Sequence, residues 1–244
     1  MEDQKTFDRI EKKCLITKEQ KRAILDSIFE HMVKDKYYIS DVYNVYFDTD
    51  NYDLIIQSIE QPMFKEKLRA RSYGGYDKVF FEIKTKLCGK DNNVGYKRRV
   101  CVAKKEYAQI IKNEMTVLEA VIKNGGSKFD QQVAREVDYL IQHFHLKPMI
   151  MVFYTRESYQ GEEGLRITFD EQLKSRIGED LKFVKKKSDK LYFEDEKNII
   201  MEIKAHGVLP LWLVRKLSKE RIFPSQFSKV GKIYQKIGKE IYHV

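Results

Sequence analysis

The chain has 244 residues, of which 42% are hydrophobic and 34% charged, and it carries a formal net charge of +9. These values fit a folded globular protein with an anionic partner: nucleic acid, anionic lipid or a phosphorylated small molecule. There is no low-complexity linker, secretory signal core or run of about 18 apolar residues, and the three cysteines match no zinc motif. We therefore predict a cytoplasmic protein without a transmembrane segment.

The predicted elements begin with a strand in "RIEKKCLIT", which ends at Thr17. An amphipathic helix capped by Thr17 follows in "TKEQKRAILDSIFEHM". Four strand-forming runs come next, and the turn sequences between them are typical of antiparallel hairpins: "YYISDVYNVYFDT", "MFKEKLRARSY", "KVFFEIKTKLC" and "VGYKRRVCVA". Residues 105–144 then have the pattern of two helices that are broken near "NGGSKFD".

Strands resume in the second half of the chain with "PMIMVFYTRESY", "GLRITFDEQL", "LKFVKK" and "NIIMEIKAHG". The tail is helical in two segments that separate near Pro224. This order gives eight or nine mainly antiparallel strands, and a sheet of that size tends to curl or close. We predict an α+β fold over residues 1–244 as a single domain: a closed antiparallel eight-stranded β-barrel with helices packed outside.

Cations recur at alternate positions in the strands. In "MFKEKLRARSY", Lys65, Lys67, Arg69 and Arg71 share one face, and "FFEIKTK", "GYKRRV", "LRITFD" and "MEIKA" show the same alternation. One explanation is that each charged face meets solvent. The other is a charged lumen beneath outward apolar faces. We favour the lumen, because like charges on neighbouring strands repel one another unless an anion lies among them.

A lumen of arginine and lysine suits a chain of phosphates. Arginine binds phosphate oxygens through two parallel hydrogen bonds, and lysine adds a mobile point charge. Glu82 and Glu202 lie on the same faces. They are candidate oxygen ligands for a divalent ion that bridges carboxylates and phosphates, and the alternative is that they pair with neighbouring lysines.

Nine stretches in order along the chain resemble the triphosphate tunnel metalloenzyme superfamily, and within it the polyphosphate polymerase domain of the vacuolar transporter chaperone (VTC) family. They are "EKKCLI", "VYFDTDNYDL", "KEKLRARSYGG", "VFFEIKTK", "GYKRRV", "FYTRESY", "LRITFDEQL", "IMEIKAHG" and "FSKVGK". The resemblance implies a closed, CYTH-like antiparallel tunnel whose basic interior holds polyphosphate or a nucleotide triphosphate together with Mn²⁺ or Mg²⁺.

The resemblance also implies roles for individual residues. The implied phosphate-binding cations are Lys13, Arg69, Arg71, Lys84, Lys97, Arg156, Arg166, Lys204 and Lys229. Six of these are also implied to act in catalysis: Arg69, Arg71, Lys84, Lys97, Arg156 and Arg166. Glu202 matches the metal-binding carboxylate of the family, and Glu82 is a supporting candidate. Glu11 is a weaker one, because the tandem glutamate motif of the superfamily's hydrolases is not intact here.

The implied activity is transfer of the γ-phosphoryl group of ATP to a growing polyphosphate chain, with release of ADP. Positioned cations and a metal supply most of the catalysis in phosphoryl transfer, so no nucleophilic side chain is needed. Two alternatives remain open: a metal-dependent tripolyphosphatase or nucleoside triphosphatase of the same fold, and a non-catalytic polyphosphate-binding module. The sequence contains no aromatic RNA-binding signature, so no nucleic acid partner is expected.

Overall fold

The computed structural model describes residues 9–60, 63–74, 76–88, 93–178, 182–191, 199–225 and 227–242. The strands in this part of the chain are β1 (Arg9–Ile16), β2 (Met32–Asp48), β3 (Phe64–Tyr73), β4 (Val79–Cys88), β5 (Asn93–Val102), β6 (Lys147–Gly161), β7 (Arg166–Ile177), β8 (Lys190–Leu191) and β9 (Ile199–His206). The helices are α1 (Lys18–His31), α2 (Asp53–Glu60), α3 (Lys104–Ile111), α4 (Val117–Lys123), α5 (Lys128–His143), α6 (Leu211–Lys219) and α7 (Lys229–Tyr242).

The strands form one sheet in the order β1-β9-β7-β6-β2-β3-β4-β5, and β8 pairs with β7. This confirms the predicted eight-stranded antiparallel sheet, but the predicted closure into a barrel is wrong. Within the described ranges, β1 and β5 end the strand order and are not hydrogen bonded to each other. One β1 carbonyl group, that of Lys13, instead accepts a hydrogen bond from the backbone N–H of Ser225 at 2.7 Å.

The described residues divide into two compact units. The first draws on Met1–Asp41, Tyr154–Leu173 and Leu191–Phe227. The second draws on Val42–Phe153, Lys174–Lys190 and Ser228–Val244. The long strands β2 and β6 each contribute one part to either unit. A single domain over residues 1–244 stays a prediction.

In each unit the helices cover the apolar side of the strands. In the second unit, apolar residues of β3, β4 and β5, such as Leu68, Phe81 and Val100, form a buried core with residues of α3, α4 and α5. In the first unit, Ile167 of β7 and Met201 of β9 belong to a core that also contains residues of α1 and α6. The alternation of side chains along a strand then directs the charged residues to the opposite side of each unit's strands.

Among the described residues, no helix combines the length and apolar character needed to cross a bilayer. The cytoplasmic location stays a prediction.

Several predicted elements differ from the structure. The region predicted as two helices contains three, because the chain leaves the helical conformation after α3 and Asn113 adopts a positive φ of 58°. The predicted strand "LKFVKK" is not a strand over its described residues 182–186. The Arg176 guanidinium donates hydrogen bonds to backbone carbonyl groups there, including that of Val184 at 2.8 Å. Carbonyls held in this way are not available to a neighbouring strand.

Helix α2 was not predicted, and a buried carboxylate explains where it begins. Asp48, which is fully buried at the end of β2, accepts hydrogen bonds at 2.9 Å from the backbone N–H groups of Thr49, Leu54 and Ile55. Leu54 and Ile55 lie in the first helical turn, whose N–H groups have no partner within the helix. The Asp48 carboxylate therefore caps the first turn of α2 and fixes it to the end of β2.

We expect Asp48→Ala to lower the free energy of unfolding by about 2 kcal/mol, because buried N–H groups lose their acceptor. Urea unfolding measures the effect. Asp50→Ala is the matched control, since the Asp50 side chain is 78% exposed and pairs with Lys147 at the surface. Equal unfolding midpoints for the two variants would contradict the capping role of Asp48.

Candidate phosphate-binding site

The charged side of β3, β4 and β5 is organised around one buried carboxylate. Glu82 of β4 lies directly across from Arg69 of β3 and has a side chain that is 1% exposed. Its Oε2 atom lies 2.7 Å from Nε and 2.6 Å from Nη2 of Arg69, and its Oε1 atom lies 2.6 Å from Nζ of Lys97. We call this charged surface, with Tyr46 and Arg71, the Glu82 face.

Arg71 is oriented by a neutral side chain, that of Asn44, in addition to Glu82. Its Nε atom donates to Oδ1 of Asn44 at 2.8 Å and lies 3.9 Å from Oε2 of Glu82. Asn44 is directly opposite Arg71 in the pairing of β2 and β3, and its amide nitrogen donates to the carbonyl of Val152 at 3.2 Å. Because both ends of the Asn44 amide are bonded, the Arg71 guanidinium is held in a fixed orientation.

Electrostatics show that Glu82 is a counterion. Burial by itself would raise the pKa of the Glu82 carboxyl, but the charges of Arg69, Arg71 and Lys97 outweigh burial and lower the pKa to about 2. Burial lowers the pKa of Lys97; Glu82 opposes this effect, and the two guanidinium groups add to it. One carboxylate therefore sits among three cations and leaves an excess of positive charge on the Glu82 face.

Tyr46 is also placed among these cations. It is buried, lies directly opposite Arg69, and its hydroxyl accepts a hydrogen bond from Nη1 of Arg69 at 3.4 Å. Burial would raise the pKa of the Tyr46 phenol, but the nearby charges of Arg69, Lys67 and Arg71 lower the pKa to about 8. The positive potential of the face therefore favours an anion even at the position of a tyrosine hydroxyl.

A second charged surface belongs to the other unit. Arg156 of β6 binds Asp170 of β7 through two contacts, Nε to Oδ1 at 2.6 Å and Nη2 to Oδ2 at 2.7 Å. The Asp170 side chain is fully buried. Glu202 of β9 lies with Oε1 2.6 Å from Nζ of Lys204 and Oε2 3.8 Å from Nη2 of Arg156. We call this surface, with Lys13, Arg166 and Thr168, the Glu202 face.

The strand register brings the remaining members of the Glu202 face together. Glu202 lies between Lys13 of β1 and Thr168 of β7, and Lys204 lies opposite Arg166. The Nη2 atom of Arg166 is 2.9 Å from Oδ2 of Asp35, while Lys13 Nζ is 3.5 Å from Oε1 of Glu11. The structure thus groups Lys13, Arg156, Arg166, Lys204 and Glu202 within one unit.

The other predicted cations belong to the second unit. Lys84 is exposed and lies directly between Lys67 and Lys97 in the register of the three strands, so it extends the Glu82 face. Lys229 is the first residue of α7 and is half-buried. The roles of all these residues in phosphate binding stay predictions.

The two predicted metal ligands have different surroundings. Among the described residues, no group of three or more histidine, cysteine, aspartate or glutamate side chains could hold a metal ion. Mg²⁺ and Mn²⁺ do not require such a group, since they bind through one or two carboxylates together with substrate phosphates. Glu202 fits this arrangement better than Glu82, because its close contact is with Lys204 while Arg156 lies 3.8 Å away. The opposite residue Thr168 also offers a hydroxyl oxygen with no hydrogen-bond partner among the described residues. The Glu82 carboxylate is instead enclosed by cations, which favours its alternative role as a pairing partner.

Three residues that orient the arginines were not predicted. Asn44, Tyr46 and Asp170 contact Arg71, Arg69 and Arg156 respectively. The available signal for Asp170 is the alternation in "LRITFD", which places it on the same face as Arg166 and Thr168. Its partner depends on the register between β6 and β7, which alternation within one strand does not provide.

We expect Glu82→Gln to lower the free energy of unfolding by about 3 kcal/mol at pH 7, because three cations lose a buried counterion. The pKa of Glu82 is depressed from 4.5 to about 2, so its contribution is present above pH 4.5 and is lost as the pH falls through 2. In urea unfolding, the difference in the free energy of unfolding between variant and wild type should therefore decrease as the pH falls below 4.5. Glu114→Gln, at a carboxylate that is 53% exposed, is the control. A Glu82→Gln midpoint equal to that of wild type at pH 7 would exclude the counterion role.

We expect one tyrosine to ionise at a pH of about 8, and Tyr46→Phe to remove that transition. Ultraviolet difference spectroscopy during a pH titration detects phenolate directly. Tripolyphosphate should raise this pKa, because a bound polyanion neutralises the cations that stabilise the phenolate. A transition that persists in Tyr46→Phe, or one that tripolyphosphate leaves in place, would show that Tyr46 does not report on an anion site.

Two solved structures have a fold similar to that of this chain. HpAC1 from Hippeastrum, described as having a dominant triphosphatase activity, aligns with a TM-score of 0.54 at 14% identity, over 93% of this chain and 96% of that one. The PH1819 protein from Pyrococcus horikoshii aligns with a TM-score of 0.50 at 14% identity, over 93% of this chain and 99% of that one. At this identity the likeness shows the fold alone.

Sequence comparison gives the family. Vacuolar transporter chaperone complex subunit 4 of Schizosaccharomyces pombe is 30% identical in an alignment 149 residues long, which covers 56% of this chain and 20% of that subunit. The chain thus matches only about a fifth of the length of this relative. The VTC domain family matches residues 8–237, which is nearly the whole chain. The chain therefore belongs to the VTC domain family.

Proposed function

We propose that the chain is a polyphosphate polymerase that transfers the γ-phosphoryl group of ATP to an inorganic polyphosphate chain. The observation that carries the proposal is the arrangement of arginines held side-on by buried carboxylates: Arg69 by Glu82, and Arg156 by Asp170. The guanidinium group of an arginine fixed in this way is already oriented before a ligand binds. Binding therefore costs little further side-chain entropy.

The arrangement suits a polyanion better than a single carboxylate or a neutral ligand. Cations extend along several strands on both faces, and Glu82 compensates only part of the charge around it. Successive phosphates of a chain supply oxygens at regular intervals, and charge-assisted hydrogen bonds to arginine and lysine are about twice as strong as neutral ones. The Glu82 and Glu202 faces therefore each provide contacts for phosphate oxygens.

The chemistry requires little from protein side chains beyond positioning. An oxygen of the terminal phosphate of the polyphosphate chain attacks the γ-phosphorus of ATP, the bond from that phosphorus to the β,γ-bridging oxygen breaks, and ADP leaves with the electron pair. The attacking oxygen is already ionised, so no general base is needed. Preorganised cations stabilise the charge that is spread over the transferred group.

A divalent ion would be held by Glu202 together with phosphate oxygens, and Mn²⁺ and Mg²⁺ are the candidates. Such an ion neutralises phosphate charge and polarises the transferred group. The side chains of Lys204 and Arg156 hold the Glu202 carboxylate in place on the protein side. Membership of the VTC domain family and similarity to a vacuolar transporter chaperone subunit support a polyphosphate substrate for this chain.

Product analysis tests the proposal. The purified protein is incubated with γ-labelled ATP and either Mn²⁺ or Mg²⁺, and the products are separated by gel electrophoresis and ion-exchange chromatography. We expect labelled polyphosphate and ADP as the products. The amount of labelled phosphoryl incorporated into polyphosphate should equal the amount of ADP released. Free phosphate as the sole labelled product would replace the proposal with a tunnel-fold hydrolase. Tight polyphosphate binding without turnover in either metal would replace it with a binding module.

We expect Arg69→Ala and Arg166→Ala each to weaken tripolyphosphate binding by about 10- to 100-fold, through loss of charge-assisted hydrogen bonds. Isothermal titration calorimetry measures the affinity. Arg135→Ala, at an exposed residue of α5 on the helical side, is the control for a loss of positive charge. Affinity in Arg69→Ala or Arg166→Ala that matches the control would remove that arginine from the site.

We expect Glu202→Gln to lower metal-dependent turnover by about 100-fold, because the ion loses its carboxylate ligand. Binding of tripolyphosphate without metal should stay within about threefold of wild type, since the neutral amide removes no cation. Steady-state kinetics and metal-free calorimetry separate the two effects. Unchanged turnover in Glu202→Gln would exclude it as the metal ligand.

A further inference from the structure

Thr168 of β7 carries a buried hydroxyl group that has no hydrogen-bond partner within the described part of the chain. The residue is 4% exposed and lies on the Glu202 face, directly opposite Glu202 in the pairing of β7 and β9. Two other buried hydroxyls have partners: that of Thr85 donates to Oε1 of Glu66 at 2.7 Å, and that of Ser72 donates to the carbonyl of Lys78 at 3.0 Å. Thr168 therefore differs from ordinary buried hydroxyl residues of this fold.

An unpartnered buried hydroxyl is unfavourable in the ligand-free protein. Burying a hydroxyl without a partner costs free energy, and valine has almost the same shape and suits a β-strand at least as well. Groups of this kind persist where a bound species supplies the missing partner. A group that lies among charged side chains rather than in the apolar core points to a polar species on that face.

The surroundings of Thr168 identify the chemistry of that species as an oxygen acceptor. Arg166, two residues earlier on the same face, has an Nε–H donor that is likewise buried and has no partner in the described ranges. Two neighbouring donors, one neutral and one cationic, both lack an acceptor. The side chains of Arg166 and of Lys204 opposite it are 40% and 25% exposed, so an anion that enters from solvent reaches this part of the face.

We propose that Thr168 is a phosphate-binding residue whose hydroxyl donates a hydrogen bond to an oxygen of the bound polyphosphate or triphosphate chain, beside Glu202. The proposal rests on the proposed function for the identity of the ligand. It adds a neutral donor to the charged groups of the Glu202 face. A neutral donor contributes a directional contact and adds no positive charge to a surface where like charges already repel one another.

The test compares Thr168→Val, which replaces the hydroxyl by a methyl group of similar size, with Thr168→Ser, which keeps the hydroxyl. Thr85→Val is the matched control, since it removes a satisfied buried hydroxyl on the apolar side of the second unit. Tripolyphosphate affinity is measured by calorimetry without metal, and the melting temperature of each ligand-free protein is measured by scanning calorimetry.

We expect Thr168→Val to bind tripolyphosphate about tenfold more weakly than wild type, with a melting temperature that is unchanged or higher. Thr168→Ser should bind within about threefold of wild type. Thr85→Val should show the reverse: a lower melting temperature, because Glu66 loses its donor, and unchanged affinity. This opposite pair of responses separates a ligand-binding hydroxyl from a structural one.

Two results would overturn the proposal. Wild-type affinity in Thr168→Val would show that the hydroxyl does not contact phosphate, and a lower melting temperature with unchanged affinity would show that it has a structural partner. Failure of the wild-type protein itself to bind tripolyphosphate would instead refute the proposed function, so the two failures are distinguishable.

Discussion

The fold has to place many cations on neighbouring strands without unfolding itself, and buried carboxylates make this possible. Glu82 contacts Arg69 and Lys97, and Asp170 accepts hydrogen bonds from Nε and Nη2 of Arg156. On the Glu82 face one carboxylate removes enough repulsion for the strands to pair, yet leaves a net positive surface, because three cations surround it. A surface that is compensated only in part is stable without ligand and still binds an anion.

The same arrangement explains why the helices lie where they do. Apolar residues that alternate with the cations form one buried core with α3, α4 and α5, and another with α1 and α6. Covering those apolar sides provides the hydrophobic free energy that offsets crowding of charge on the other side. The apolar faces of the strands therefore drive folding, and the residues on the charged faces can serve ligand binding.

The sequence predicted the charged faces because alternation within a strand is a local property. It did not predict Asn44, Asp170 or Tyr46 as partners of the arginines, since these contacts depend on cross-strand register. Helix α2 was missed because the carboxylate that caps it, Asp48, belongs to the preceding strand, and "LKFVKK" was misassigned because its carbonyl groups accept hydrogen bonds from Arg176. Barrel closure was wrong because strand number alone does not fix the pairing of the outermost strands, and β1 has another hydrogen-bond partner at Lys13.

The central claim is that carboxylate-held arginines bind phosphate oxygens. An experimental structure of the protein with bound tripolyphosphate tests this claim most directly. We expect phosphate oxygens within hydrogen-bond distance of Arg69 or Arg71 on the Glu82 face, or of Arg156 or Arg166 on the Glu202 face, while Glu82 and Asp170 keep their contacts with Arg69 and Arg156. Tripolyphosphate bound at the lysine run 185–187, with neither charged face occupied, would show that these arginines are not the phosphate site.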